Sequence, residues 1–121
     1  CAIEKRNIVL HTKGETKRSY LYTEDAAAAI LTVLLKGENG QAYNAANEES
    51  YCSIWEMAQF VAKECANGEI GVDIQIEDEN KFGYAPALRM NLDTQKLRNL
   101  GWHAKVGFRN AFLYMMRNME R

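Results

Sequence analysis

The apolar and polar positions alternate at two different periods along the chain. Ile8-Val9-Leu10-His11 is a short β-branched run, and Arg18 to Thr23 reads as a second strand. The polar stretch Thr12 to Thr16 joins them, with Gly14 at its turn. The second strand runs into a helix through Ala26 to Leu35, capped by Thr23 or Asp25 and stopped at Lys36-Gly37. Gln41 to Ala46 predicts a strand after the turn Gly37 to Gly40. Ser53-Ile54-Trp55-Glu56 has capping-box spacing, and the helix it opens fades near Asn67-Gly68.

Val72 to Ile76 alternates as a half-buried strand does. The polar stretch Glu77 to Pro86 reads as irregular and ends at the single proline. Asp93 caps a short helix over Thr94 to Leu100, terminated by Gly101. A last helix from about Phe108 carries Phe108, Phe112, Met115 and Met119 on one face. The order β-β-α-β-α-β-α-α predicts an α/β, α+β-like arrangement: a small mixed sheet with packed helices, in one domain over residues 1–121.

Composition narrows the function classes. The 121 residues are 47% hydrophobic and 26% charged with a formal net charge of -1, so no electrostatic pull toward nucleic acid or anionic lipid is expected. The longest uncharged apolar stretch, Ala26 to Leu35, is too short to span a membrane, and the charged start Cys-Ala-Ile-Glu-Lys-Arg does not read as a secretory leader. Cys1, Cys52 and Cys65 are odd in number and form no C-x-x-C, which favours buried apolar roles for the two internal cysteines and a cytoplasmic location. The chain opens on Cys1 rather than methionine. That hints at a piece of something longer, although processing would look identical.

Catalytic motifs are scarce. The eight glycines build no G-x-G-x-x-G, and no P-loop is present. His11 and His103 are too far apart for a helical metal pair, and the acidic group Glu77-Asp78-Glu79 reads as a solvated loop rather than a metal site. No tyrosine has a lysine four residues on, the spacing that would depress a phenol and make it a base. Arg18, after a glycine loop, and Arg89, after Pro86, are placed where a guanidinium fork binds phosphate. By residue chemistry alone the reading of each as a solvated or ion-paired surface arginine is favoured.

Four segments together resemble a family. Gly14 through Ala26 (GETKRSYLYTEDA) is similar to the G-x-x-x-R-x-[YFW]-x-Y-V-x-D stretch of extended short-chain dehydrogenases/reductases, the NAD-dependent sugar-nucleotide epimerases, dehydratases and decarboxylases. Gly40 to Ala46 (GQAYNAA) resembles their G-x-x-Y-N strand, and Ser53 to Ala58 (SIWEMA) their S-[IV]-x-E-[LM]-A helix start. Arg89 to Leu97 followed by Leu100-Gly101-Trp102 resembles their R-x-x-x-D-x-x-K and L-G-W signature. Thr23 departs from the usual valine.

The resemblance implies the C-terminal substrate-binding part of a Rossmann-type enzyme that acts on a nucleoside diphosphate sugar. NAD, the glycine-rich loop and the Tyr-x-x-x-Lys pair would belong to an N-terminal Rossmann domain not represented here. In the whole enzyme NAD is transiently reduced as the sugar C4 becomes a ketone. The resemblance assigns diphosphate or nucleoside contacts to Arg18 and Arg89, a base contact to His11 and a nucleotide contact to Asn47. It makes Tyr43, Asn44, Trp102 and the Ser53 helix architectural. No catalytic residue and no metal are expected, and the piece alone is expected to be inactive. The alternative is a stand-alone, non-catalytic module that binds a nucleotide or a protein. A piece cut from a larger fold would also expose apolar surface where its partner sat.

Overall fold

The computed structural model describes residues 1–77, 83 and 86–119. Its elements are β1 (Ile8–Leu10), β2 (Lys17–Arg18), α1 (Thr23–Lys36), β3 (Cys52–Ser53), α2 (Ile54–Phe60), β4 (Val72–Ile74), β5 (Arg89–Met90), α3 (Gln95–Arg98) and α4 (Phe108–Met119). β1 and β4 pair in parallel, Ile8 level with Val72 and Leu10 with Ile74. The second sheet has the order β3-β2-β5, antiparallel on the β3 side and parallel on the β5 side. Asp78, Glu79 and Tyr84 lie outside the described residues.

The capping box forms as its spacing predicts. Glu56 N donates to Ser53 Oγ at 3.0 Å, and Ser53 N donates to Glu56 Oε2 at 2.7 Å. α2 continues as one wider turn over Val61–Cys65 and ends where Asn67 and Gly68 take φ of 52° and 73°. The loop before β2 docks on the start of this helix: Trp55 N donates to the Gly14 carbonyl at 3.1 Å, and Ile54 N to that of Thr16 at 3.0 Å.

Gly14 is required there twice over. Its φ is +68°, and a Cβ would stand 2.8 Å from Trp55 N. Gly40, with φ +74°, has nothing within 4 Å of that position. Gly14→Ala is therefore expected to cost about 2 kcal/mol and Gly40→Ala about 1 kcal/mol. Urea titration of the two variants checks this, and equal costs would show that the close approach to Trp55 does not matter.

Several expectations are corrected. α1 spans the predicted residues, but neither Thr23 nor Asp25 caps it; Tyr22 holds the N-cap position without a side-chain bond. Gly37 closes it at φ -70°, through its N–H to the Val33 carbonyl, rather than in a left-handed turn. The second strand shrinks to Lys17–Arg18 because the Ser50 hydroxyl captures the backbone of Tyr20, accepting its N–H at 2.7 Å. Residues 41–46 join no ladder. Asp93 does receive the Gln95 N–H at 2.8 Å, although α3 is only four residues long.

Two small cores result. Ala29, Leu97 and Trp102 form the first, with Leu21, Val33, Tyr43, Leu100 and Ala104 around them. Ala62, Ala66 and Ile70 form the second, under Ile8 and Val72. Asp25 ties the first core to the 102–106 loop. Its buried carboxylate accepts Lys105 N at 3.0 Å and Val106 N at 2.9 Å, and its carbonyl accepts Trp102 Nε1 at 3.1 Å. α4 realises only half of its expected apolar packing: Phe108 sits 5.1 Å from Phe60 and 5.0 Å from Phe112, while Met115 and Met119 are exposed.

Candidate functional site

The central ribbon gathers cations. In the β2–β5 ladder Lys17 is level with Arg89 and Arg18 with Met90. Parallel strands project level residues to the same side, so Arg89 shares its side with Lys17, while Arg18 alternates to the other. Lys17 N also donates to the Leu88 carbonyl at 2.7 Å, fixing the two strands tightly together. Sequence reading singled out Arg18 and Arg89 and passed over Lys17, because the pairing that sets it beside Arg89 is invisible in either segment alone.

Lys17 is partly neutralised, since its Nζ stands 3.4 Å from Glu56 Oε2. The Glu56 carboxyl is held below its ordinary range first by the Ser53 N–H, with Lys17 adding to the effect. Among the described residues neither Arg18 nor Arg89 forms an ion pair. Two guanidinium groups left without carboxylates on one ribbon are suited to an anionic ligand.

A groove of about 170 Å³ adjoins the ribbon, lined by the 12–16 loop, Ile76 and Ala87. Arg18 and Arg89 each follow a lining residue, Thr16 and Ala87, by two positions. His11 precedes the lining Thr12, and its Nδ1 contacts Glu77 Oε1 at 3.1 Å. None of the four predicted site residues lines this groove; Arg18, Arg89 and His11 lie one or two positions from residues that do.

Asn47 stands apart. Its amide is engaged within the fold, Oδ1 accepting Glu49 N at 3.1 Å and Nδ2 donating to the Val106 carbonyl at 3.3 Å. It lines a larger cleft of about 480 Å³ between the stretch 20–23 and α4, walled by Tyr20, Tyr22, Phe108, Phe112 and Met115. That cleft is wider but apolar, and a diphosphate needs the cations it lacks. Burial pushes the Tyr20 phenol up from its ordinary range, so it is not prepared to act as a base.

Neither α1 nor α2 presents a free N-terminus to a pyrophosphate. The first turn of α1 carries Glu24 and Asp25, which repel a pyrophosphate, and the amides opening α2 are occupied by the capping box. No group of three or more His, Cys, Asp or Glu is arranged to hold a metal among the described residues. All three cysteines are free, and burial raises the thiols of Cys52 and Cys65, which keeps them from acting as thiolates. No helix among the described residues is long and apolar enough to cross a membrane.

A carboxylate ties the 48–50 turn to the residue ahead of α3. Glu48 Oε1 accepts Thr94 N at 2.9 Å and Thr94 Oγ1 at 2.6 Å, and these bonds hold its carboxyl below the ordinary value of 4.5. A depressed folded-state value means that stability is fully present above the unfolded value and is lost as pH falls through the folded one. Melting temperature is expected to be flat above about pH 5 and to fall below it, with a shallower fall in Glu48→Gln. Parallel slopes in the two proteins would show that Glu48 is not a source of the acid sensitivity.

The fold is a small mixed α/β one, similar to part of the Rossmann-type epimerases and dehydratases. It superposes on a UDP-glucose 4-epimerase with UDP-glucose from Thermotoga maritima with TM-score 0.79 at 18% identity, covering 99% of this chain and 38% of that one. A dTDP-glucose 4,6-dehydratase from Bacillus anthracis in complex with NAD gives TM-score 0.75 at 20% identity, over 98% and 36%. In sequence, residues 1–46 match the NAD dependent epimerase/dehydratase family.

Among curated proteins the chain is 35% identical over 105 residues to an Arabidopsis thaliana trifunctional enzyme that includes UDP-glucose 4,6-dehydratase, covering 87% of this chain and 15% of that protein. It is 31% identical over 107 residues to dTDP-D-glucose 4,6-dehydratase of Mus musculus, covering 84% and 28%. The chain thus spans less than a third of the length of these relatives.

Proposed function

We propose that this chain is the C-terminal, sugar-nucleotide-binding portion of an NAD-dependent epimerase, dehydratase or decarboxylase. The observation that carries the reading is the β2–β5 ribbon, where Arg18 and Arg89 stand without carboxylate partners among the described residues beside the 12–16 groove. A guanidinium on either side of this ribbon is able to donate a bidentate pair of hydrogen bonds to the diphosphate of a nucleoside diphosphate sugar. Lys17 adds charge on the Arg89 side. His11, at the end of the groove held by Glu77, lies beside the nucleoside base. Asn47 is a polar lining residue of the larger cleft.

NAD and the proton-transferring groups belong to a Rossmann portion beyond these residues, so the chain alone binds substrate without turning it over. Three free cysteines fit a cytoplasmic setting. The coding sequence upstream of Cys1 tests the reading. A glycine-rich strand–helix turn followed by Tyr-x-x-x-Lys supports it. A start codon close to Cys1 overturns it and leaves a stand-alone, non-catalytic binding module.

A further inference from the structure

The chain holds two Asn-Gly pairs, Asn39-Gly40 and Asn67-Gly68. Asparagine before glycine is a chemically labile junction, because no side chain shields the backbone nitrogen that attacks the amide carbon. Both pairs are exposed, and in both the glycine has a positive φ. Local sequence and accessibility treat them alike. The backbone hydrogen bonds do not.

Gly68 N is committed. It donates to the Ala62 carbonyl at 2.9 Å, and the next amide, Glu69 N, donates to the Ala66 carbonyl at 2.9 Å. These bonds close the wider turn that ends α2, with Asn67 at φ 52° and Gly68 at 73°. An amide nitrogen must lose its proton before it attacks a carbonyl carbon. A proton held in a hydrogen bond reaches base only when the structure opens locally.

Gly40 N makes no such bond among the described residues. Its turn is closed one residue later, where Gln41 N donates to the Glu38 carbonyl at 3.3 Å. Gly40 takes the third position of that turn at φ +74°, and nothing lies within 4 Å of where its Cβ would stand. The Asn39 side chain is exposed and forms no hydrogen bond among the described residues. Its amide therefore has room to close onto Gly40 N, and water reaches the product.

We infer that Asn39 is a site of spontaneous deamidation, while the fold spares Asn67. Deprotonated Gly40 N attacks Asn39 Cγ. A C–N bond forms to close a five-membered succinimide, the bond from Cγ to the side-chain nitrogen breaks, and ammonia leaves with the proton that Gly40 N gave up. Water then opens the ring. Attack at Cγ gives aspartate, and attack at the backbone carbonyl gives isoaspartate, whose main chain runs through Cβ and Cγ. Either product sets a new carboxylate beside Glu38. Isoaspartate also lengthens by one carbon the turn that leads out of α1.

Peptide mapping by mass spectrometry tests this on the intact protein, the product of its whole coding sequence, incubated in mildly alkaline buffer. Each conversion raises a peptide's mass by about 1 Da as NH₂ gives way to OH, and chromatography separates isoaspartate from aspartate. The Asn39 peptide is expected to convert at least ~10-fold faster than the Asn67 peptide, because opening the Gly68 bond is an added step. In concentrated urea that bond is gone, and the two rates are expected to agree within about 3-fold. Asn39→Gln is expected to abolish the fast conversion, since the longer side chain closes a less favourable six-membered ring. Equal rates in the folded protein, or a faster Asn67, overturn the inference. A ratio that persists in urea overturns it too, because the neighbouring sequence rather than the fold would then set the rates. So does an Asn39 that converts in urea but not in the folded protein, which would show the turn to be covered there.

Discussion

Arg18→Ala is expected to weaken binding of a nucleoside diphosphate sugar by about 10- to 100-fold. Hydrogen bonds to a charged group contribute about 1.5–3 kcal/mol, and each 1.4 kcal/mol is tenfold in affinity. The guanidinium is exposed on a two-residue strand and has no carboxylate to be orphaned among the described residues, so the substitution is expected to leave the fold intact. Arg18→Lys separates charge from geometry, because an ammonium keeps the attraction and loses the planar fork. Its affinity is expected between those of wild type and Arg18→Ala, with unchanged urea midpoints in all three proteins. Calorimetric titration of the intact protein reads the ratio. Equal affinities for wild type and Arg18→Ala would return this residue to the solvated-surface reading that its local sequence allows.

Asp25→Ala is expected to destabilise the chain by about 3 kcal/mol. Its buried carboxylate is the acceptor for two backbone N–H groups, at Lys105 and Val106, eighty and eighty-one residues away in sequence. Leaving a buried donor unsatisfied costs about 1–3 kcal/mol, and here two lose their acceptor together. Asp25→Asn keeps one oxygen but turns an NH₂ toward the other amide, so it recovers only part of the loss. The damage extends to the larger cleft, because Val106 also accepts from the Asn47 amide. Urea denaturation gives the cost directly. A loss well under 1 kcal/mol for Asp25→Ala would mean that the 102–106 loop is held by Trp102 packing alone.

Local chemistry was legible in the sequence wherever one segment contained the whole interaction. The Ser53–Glu56 box, the Asn67-Gly68 stop and the limits of α1 all depend on neighbours within a turn or two. Pairings between distant segments were not legible. β5 is two residues whose only strand character is Lys17 beside Arg89, and Asp25 reads locally as a helix cap while its partners lie across the core. The strand expected over 41–46 fails for a different reason, since its pattern matches a strand but the described residues hold no partner for it.

The site shows the same division. Arg18, Arg89 and His11 come from three separate segments, and the motif resemblance was needed to single out the arginines from ordinary surface charge. Only the ladder sets Lys17 beside Arg89, and Arg18, Arg89 and His11 each lie within two residues of the groove lining. Asn47 illustrates the converse: a polar residue beside a recognisable strand motif proves to be tied to the backbone of Glu49 and Val106.

The central claim is that the β2–β5 ribbon receives a nucleoside diphosphate sugar. Its most direct test is an amide chemical-shift titration of this chain with UDP-glucose and with dTDP-glucose at millimolar concentration. The account predicts saturable shifts across Thr12 to Arg18, at Ile76 and Glu77, and from Ala87 to Arg89, all lost in Arg18→Ala. Shifts confined to the cleft between Tyr20 and Phe112, or no shifts with either sugar nucleotide, would contradict it.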